Sequence, residues 1–183
     1  MTYTYNFNDT RTEDRDVWYS AGNKWEEEFV TNIAPQFGWK ASLNNKENKY
    51  APDLKIGALV ADLKYSESPF ITATRYGIGD PRFAHSFNVK DYIRYRDEYP
   101  DILLIFWHNF KEKYYRIGTK TYEITPLNSV WAVPFISLYL CIKNGDYSIH
   151  TYARRVNDTR GNAKQSYVLN LEDSVFTLLG NVA

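Results

Sequence analysis

"YAPDLKIGALVADLKYS", residues 50–66, decides how this chain is read. The apolar run from Ala58 to Ala61 leads straight into Asp62-Leu63-Lys64, and a second acid, Asp53, stands upstream behind Pro52. Runs of this kind fill cores, where each buried apolar side chain contributes roughly 1.5–3 kcal/mol. Gly57 lies between "PDLKI" and "ALVADLKY", and the pattern predicts two short strands folded into an antiparallel hairpin. In a strand, side chains two apart share a face. Asp62 and Lys64 are then neighbours, with Leu63 and Tyr65 turned the other way. Pairing through a turn near Gly57 brings Asp53 to them, so two carboxylates and an amine meet at the edge of a core.

Two acids in a dry site repel each other unless a cation stands between them. A hard divalent ion such as Mg²⁺ suits carboxylate and backbone oxygens. Such an ion lowers the pKa of a bound water and offsets charge on a transferring phosphate. A nearby lysine can orient or deprotonate the water, or stabilise the transition state. This set of groups suits phosphodiester hydrolysis. The competing reading is a surface hairpin with a cross-strand ion pair. The apolar character of the strand favours a site.

Outward from this stretch, residues 1–13 read as an arm or a first edge strand. Residues 14–33 read as a helix ending before Pro35, with Trp18, Gly22, Trp25, Phe29, Val30 and Ile33 at helical spacing. "WKASLNN" reads as a strand, and residues 66–87 as a long irregular stretch. "NVKDYIRYRDEY" predicts a helix capped by Asn88 and stopped at Pro100, and "DILLIFWHNF" a strand buried on both faces. "KYYRIGTKTYEIT" has β-rich composition, residues 130–142 read as buried core, "YSIHTYARRV" and "SYVLNL" as a long-tipped hairpin, and "LEDSVFTLLGNV" as a short closing helix. The sum is one mixed α/β domain over residues 1–183.

Composition sets bounds. The chain has 183 residues, enough for one domain with a sizeable core. Lys plus Arg and Asp plus Glu each number 22, so no global basic signal marks a nucleic-acid binder and any such contact must be local. The single Cys141 excludes an internal disulfide and a cysteine-rich zinc site, which fits a reducing, intracellular compartment such as the cytoplasm. The polar N-terminal residues suggest no signal peptide, and the longest apolar stretch is too short for a bilayer, so no membrane partner is expected. The 16 Tyr, 10 Phe and 5 Trp serve a core or an interface.

Pro52-Asp53 followed by Asp62-Leu63-Lys64 resembles the signature of the PD-(D/E)xK nucleases, the superfamily of restriction, homing and junction-resolving endonucleases. The family core of a helix, three strands, a helix and a strand is similar to the order read above. The resemblance covers about residues 14–107. "YIRYRDEYPDILLIFW" is similar to the helix and strand that come after the motif in phage junction-resolving nucleases, which implies a bacterial or phage-like setting. The C-terminal part, about residues 113–183, reads as an appended β-rich region and resembles no recognised family.

The resemblance implies a restriction-endonuclease-like αβββαβ core, a mixed sheet flanked by helices, and a Mg²⁺-dependent DNA endonuclease for which Mn²⁺ substitutes. By that likeness Asp53, Asp62 and the backbone carbonyl of Leu63 bind the metal. Lys64 positions or activates the attacking water, and the products carry 5′-phosphate and 3′-hydroxyl ends. Family members often add an acid from the first helix. In "KWEEEF", at 100° per residue, Glu26 lies beside the apolar stripe, Glu27 points away and Glu28 sits on the far flank, so Glu26 is the expected fourth residue.

Two basic clusters are the expected DNA contacts. One holds Arg154, Arg155, Arg160 and Lys164 at the tip of the C-terminal hairpin, and the other holds Arg75, Arg82, His85, Lys90, Arg94 and Arg96. Asn157, Asn162 and Gln165 are candidates for reading adenine edges. Ser66 either bonds a substrate phosphate or caps a turn. His108 and His150 read as structural, because neither has a partner at metal-ligand spacing. One site per chain cuts both strands of a duplex only in a symmetric homodimer or larger assembly. The favoured activity is sequence-specific double-strand cleavage. A Holliday-junction resolvase and a non-catalytic DNA-binding module are the alternatives.

Overall fold

The computed structural model describes residues 2–5, 24–44, 51–152 and 165–182. Strand β1 (Thr2–Tyr5) comes first. Helix α1, residues 24–28, loosens into a π turn at Phe29–Ile33 and a 3-10 turn at Ala34–Phe37. The sequence predicts a stop before Pro35. Pro35 instead lies at the start of the 3-10 turn, where its missing N–H breaks no bond, and Gly38 at φ 71° ends the path.

The decisive hairpin forms as expected. β2 (Ala41–Leu43), β3 (Leu54–Ile56) and β4 (Leu59–Ser66) make an antiparallel meander. Gly57 takes φ 59° between β3 and β4, a left-handed conformation that disfavours any side chain. Burial starts later than the apolar run implies. Leu59 is 54% exposed and Ala61 is the first fully buried residue of β4.

Residues 66–87 are more regular than expected. Two 3-10 turns, Ile71–Tyr76 and Pro81–Phe83, lead into β5 (Ala84–Asn88). α2 (Val89–Glu98) follows and ends at Tyr99, before Pro100. Asn88 precedes α2 but makes no side-chain cap. Its carboxamide oxygen accepts from Ser166 Oγ at 3.0 Å, because Asn88 also closes β5. β6 (Leu103–Phe110) is buried from Leu104 to its end, as a strand covered on both faces should be. β7 (Tyr114–Ile117) and β8 (Lys120–Glu123) form a hairpin, and β1 adds to β7 in parallel.

The apolar run at residues 130–142 is two elements rather than one. β9 (Leu127–Pro134) turns at Pro134 into α3 (Phe135–Asn144). β10 (Ile149–Thr151) and β11 (Gln165–Asn170) are the predicted hairpin, and the basic tip lies outside the described residues. The expected closing helix is a turn followed by strand β12 (Thr177–Asn181), which pairs with the edge of β9. The segment is too short to hold a helix unaided, and an open strand edge offers it a full ladder.

The architecture is α/β around a mixed six-stranded sheet, in the order β12-β9-β6-β4-β3-β2. Within it only β4 and β6 run parallel. One face packs Leu104, Phe106, Trp131 and Val133 against Tyr95 of α2 and Phe135 and Leu138 of α3. The other packs Leu63, Ile105, Trp107 and Val130 against Phe29, Ile33 and Ala34. A second sheet, β10-β11-β5, and a third, β1-β7-β8, flank these layers. Among the described residues no helix is long and apolar enough to cross a membrane.

Candidate active site

The β3–β4 register pairs Leu54 with Ala61, so one step outward Asp53 faces Asp62. The Leu63 N–H donates to Asp53 Oδ2 at 3.4 Å, a long bond that ties the two strands where the hairpin opens. Asp62 is only 2% exposed. Lys64 Nζ lies 2.7 Å from Asp62 Oδ2, on the same face of β4. The strand thus delivers Asp62 and Lys64 together, and its antiparallel neighbour delivers Asp53.

Glu26 joins them by charge. Trp25 stacks on Tyr65 at 4.3 Å between ring centroids, which docks α1 on β4. Glu26 is half-buried and Glu27 exposed, as the helical-wheel argument expects. Burial pushes the Asp53 carboxyl up to about 8, with repulsion from Asp62 and then Glu26 adding to it, against Lys64 and the Leu63 amide. Three acids therefore act on one another here, with too little positive charge to ionise Asp53 at neutral pH.

The sequence reading predicts α2 and places Arg94 among the DNA contacts, but misses Asp91 and the role of this helix beside Lys64. Asp91 Oδ2 also lies 2.7 Å from Lys64 Nζ. Arg94 Nη2 stands 3.3 Å from Asp91 Oδ1 and donates to the Tyr95 hydroxyl at 2.9 Å. Lys64 Nζ also sits 5.4 Å from the centre of the Tyr95 ring. Burial works against the Lys64 ammonium, but Asp62, Tyr95 and Asp91 outweigh it and hold the pKa well above the usual lysine value. Burial likewise opposes the Asp91 carboxylate, yet Lys64 and Arg94 keep its pKa low. A signal was present in "DYIRY": Asp91, Arg94 and Tyr95 stand three and four apart, on one helix face.

The expected DNA contacts fare differently. Ser66 Oγ donates to the Ser68 carbonyl at 2.9 Å, the turn-capping option. Arg75 is exposed on its 3-10 turn. Arg82 is held by both oxygens of Asp80, at 2.7–3.1 Å. Gln165 is exposed at the start of β11, whereas Arg154, Arg155, Arg160, Lys164, Asn157 and Asn162 lie outside the described residues.

His85 does not sit on the surface where a phosphate contact needs it. It is 8% exposed, and its Nδ1 lies 2.9 Å from Nε2 of the fully buried His108. His108 Nδ1 in turn lies 2.9 Å from the Arg82 carbonyl, so it carries a proton and donates, leaving Nε2 to accept from His85. Both rings are neutral. Burial lowers His108 to about 4, and burial, then His108, then Lys64 depress His85 well below the usual value. The unfolded chain binds these protons near pH 6.5 and the folded chain does not, so stability falls as pH drops from about 6.5 toward 4. Replacing His108 with glutamine is expected to flatten that slope by about 1.4 kcal/mol per pH unit, read by urea unfolding between those limits.

A metal fits this donor set in one way. Among the described residues no three His, Cys, Asp or Glu side chains stand close enough to hold an ion by themselves. Glu26 bears on Asp53 through its charge. Mg²⁺ requires no such cage, since it keeps several waters and takes one or two carboxylates plus substrate phosphate. Asp53 and Asp62, which face each other across β3 and β4, are a carboxylate pair of that number. No protein-family model matches the chain, and neither a curated protein nor a solved structure matches it.

Proposed function

We propose that this chain is a Mg²⁺-dependent endonuclease of PD-(D/E)xK type that hydrolyses DNA phosphodiester bonds, cutting duplex DNA at defined sequences as a symmetric homodimer. The observation that carries the reading is the meeting of Asp53, Asp62 and Lys64 where β3 and β4 part. An acid pair short of positive charge is a cost to the fold unless a cation is used there.

Asp53, Asp62 and the Leu63 carbonyl would hold the ion, and Glu26 adds negative charge from α1. The bound ion supplies Lewis acidity, lowering the pKa of a water and offsetting phosphate charge. Lys64 keeps its proton between Asp62 and Asp91, so it serves as a fixed cation rather than as a base. In that form it orients the attacking water and stabilises charge developing on the phosphate. Attack of the water at phosphorus breaks the P–O3′ bond, the water's proton passing to solvent and the departing 3′ oxygen taking one from solvent, which leaves 5′-phosphate and 3′-hydroxyl ends.

The test is a panel of linear duplex, supercoiled and four-way-junction DNA incubated with Mg²⁺, Ca²⁺ or EDTA. Fragments that form only with Mg²⁺ and religate without prior phosphorylation support the reading. Discrete duplex fragments mark sequence-specific cutting, and cleavage confined to the junction marks a resolvase. No cutting of any substrate overturns the nuclease reading.

A further inference from the structure

Lys64 has two carboxylate partners at equal distance on different elements. Asp62 Oδ2 on β4 and Asp91 Oδ2 on α2 each lie 2.7 Å from Nζ. The second partner is itself fixed, since Arg94 stands 3.3 Å from its other oxygen. These charges alternate across the gap between strand and helix, as acid, lysine, acid, arginine. The Lys64, Asp91 and Arg94 side chains are 17%, 22% and 23% exposed, so the pairs are shielded but still reach solvent.

Under the proposed function Asp62 is also a metal ligand. A carboxylate that turns its charge to a divalent cation attracts a neighbouring ammonium less. Asp91 has no such competing duty. We infer that Asp91 is a positioning residue, the anchor that keeps the Lys64 ammonium at the scissile phosphate once Asp62 is engaged by the metal, with Arg94 steadying Asp91 from behind. The inference rests on the proposed function for its catalytic meaning and on the 2.7 Å contact for its geometry. It makes α2 part of the site, although the sequence motif ends at Lys64.

A double-mutant cycle tests it, using wild type, Lys64→Met, Asp91→Asn and the double variant. In single-turnover cleavage with Mg²⁺, Asp91→Asn is expected to slow cutting by about 10–100-fold, the usual loss when a supporting partner is removed. DNA affinity in Ca²⁺ should stay unchanged. Adding Asp91→Asn to Lys64→Met should slow cutting no further, because the anchor then has nothing to hold. Thermal midpoints of the same four proteins should shift non-additively, in EDTA and in Ca²⁺ alike. Rate losses that multiply, or midpoint shifts that simply add, overturn the inference even if the wild type cuts DNA. If the wild type neither cuts DNA nor gains stability from Ca²⁺, the proposed function fails. Non-additive midpoints would then leave Asp91–Lys64 a structural ion pair only, which overturns the positioning role as well.

Discussion

Replacing Lys64 with alanine is expected to destabilise the metal-free protein by about 3–5 kcal/mol near neutral pH, the usual result of removing one partner from a buried ion pair. Asp62 is 2% exposed and has Lys64 at 2.7 Å. Without the ammonium, the Asp62 and Asp91 carboxylates face each other across the gap to α2, with Arg94 beside Asp91 to offset them. Mg²⁺ should recover part of the loss by binding the acids left behind. Urea unfolding at pH 7, with and without Mg²⁺, measures the effect. A loss untouched by Mg²⁺ would mean that the lysine contributes packing rather than charge.

Asp53→Asn is expected to act in the opposite direction on stability. The folded carboxyl titrates near 8 against an ordinary value of 3.8, raised first by burial and then by Asp62 and Glu26. Between those values the unfolded chain gives up its proton while the folded chain retains one. The metal-free wild type therefore loses stability as pH rises from about 4 to about 8. Asparagine does not titrate, so the variant should exceed the wild type at pH 8 in EDTA by on the order of a few kcal/mol, and match it near pH 4. Excess Mg²⁺ should narrow or reverse the gap, because only the wild type keeps both carboxylates. The same variant should cut DNA at least about 10³-fold more slowly, as expected when charge stabilisation in the transition state is lost. A variant no more stable than wild type at pH 8 would contradict the electrostatic account of Asp53.

The hairpin and the meeting of Asp53, Asp62 and Lys64 were legible in the sequence because they depend on local rules. Gly57 sets the turn, the two-residue period places Asp62 beside Lys64, and helical spacing selects Glu26 over Glu27. What the sequence hid depends on partners far along the chain. β5 and β12 are short strands defined by the ladders of β11 and β9, and neither carries a strong pattern of its own. Pro134 divides an apolar run that composition alone reads as one block. Asp91 belongs to the site only because α2 packs over the face of β4 that carries Lys64. His85 shows the reverse case. It reads as a surface base among arginines, yet the β5–β11 pairing turns its ring inward onto His108.

The measurement that bears most directly on the account is nicking of supercoiled plasmid by the full chain, run with Mg²⁺ and with EDTA beside Lys64→Ala and Asp62→Asn. The account predicts that the wild type converts the plasmid to open-circular or linear DNA with Mg²⁺ and leaves it intact in EDTA, and that both variants leave it intact throughout. Cutting that persists in EDTA, or in Lys64→Ala at the wild-type rate, would contradict the claim that Asp53, Asp62 and Lys64 are where a metal and a phosphate meet.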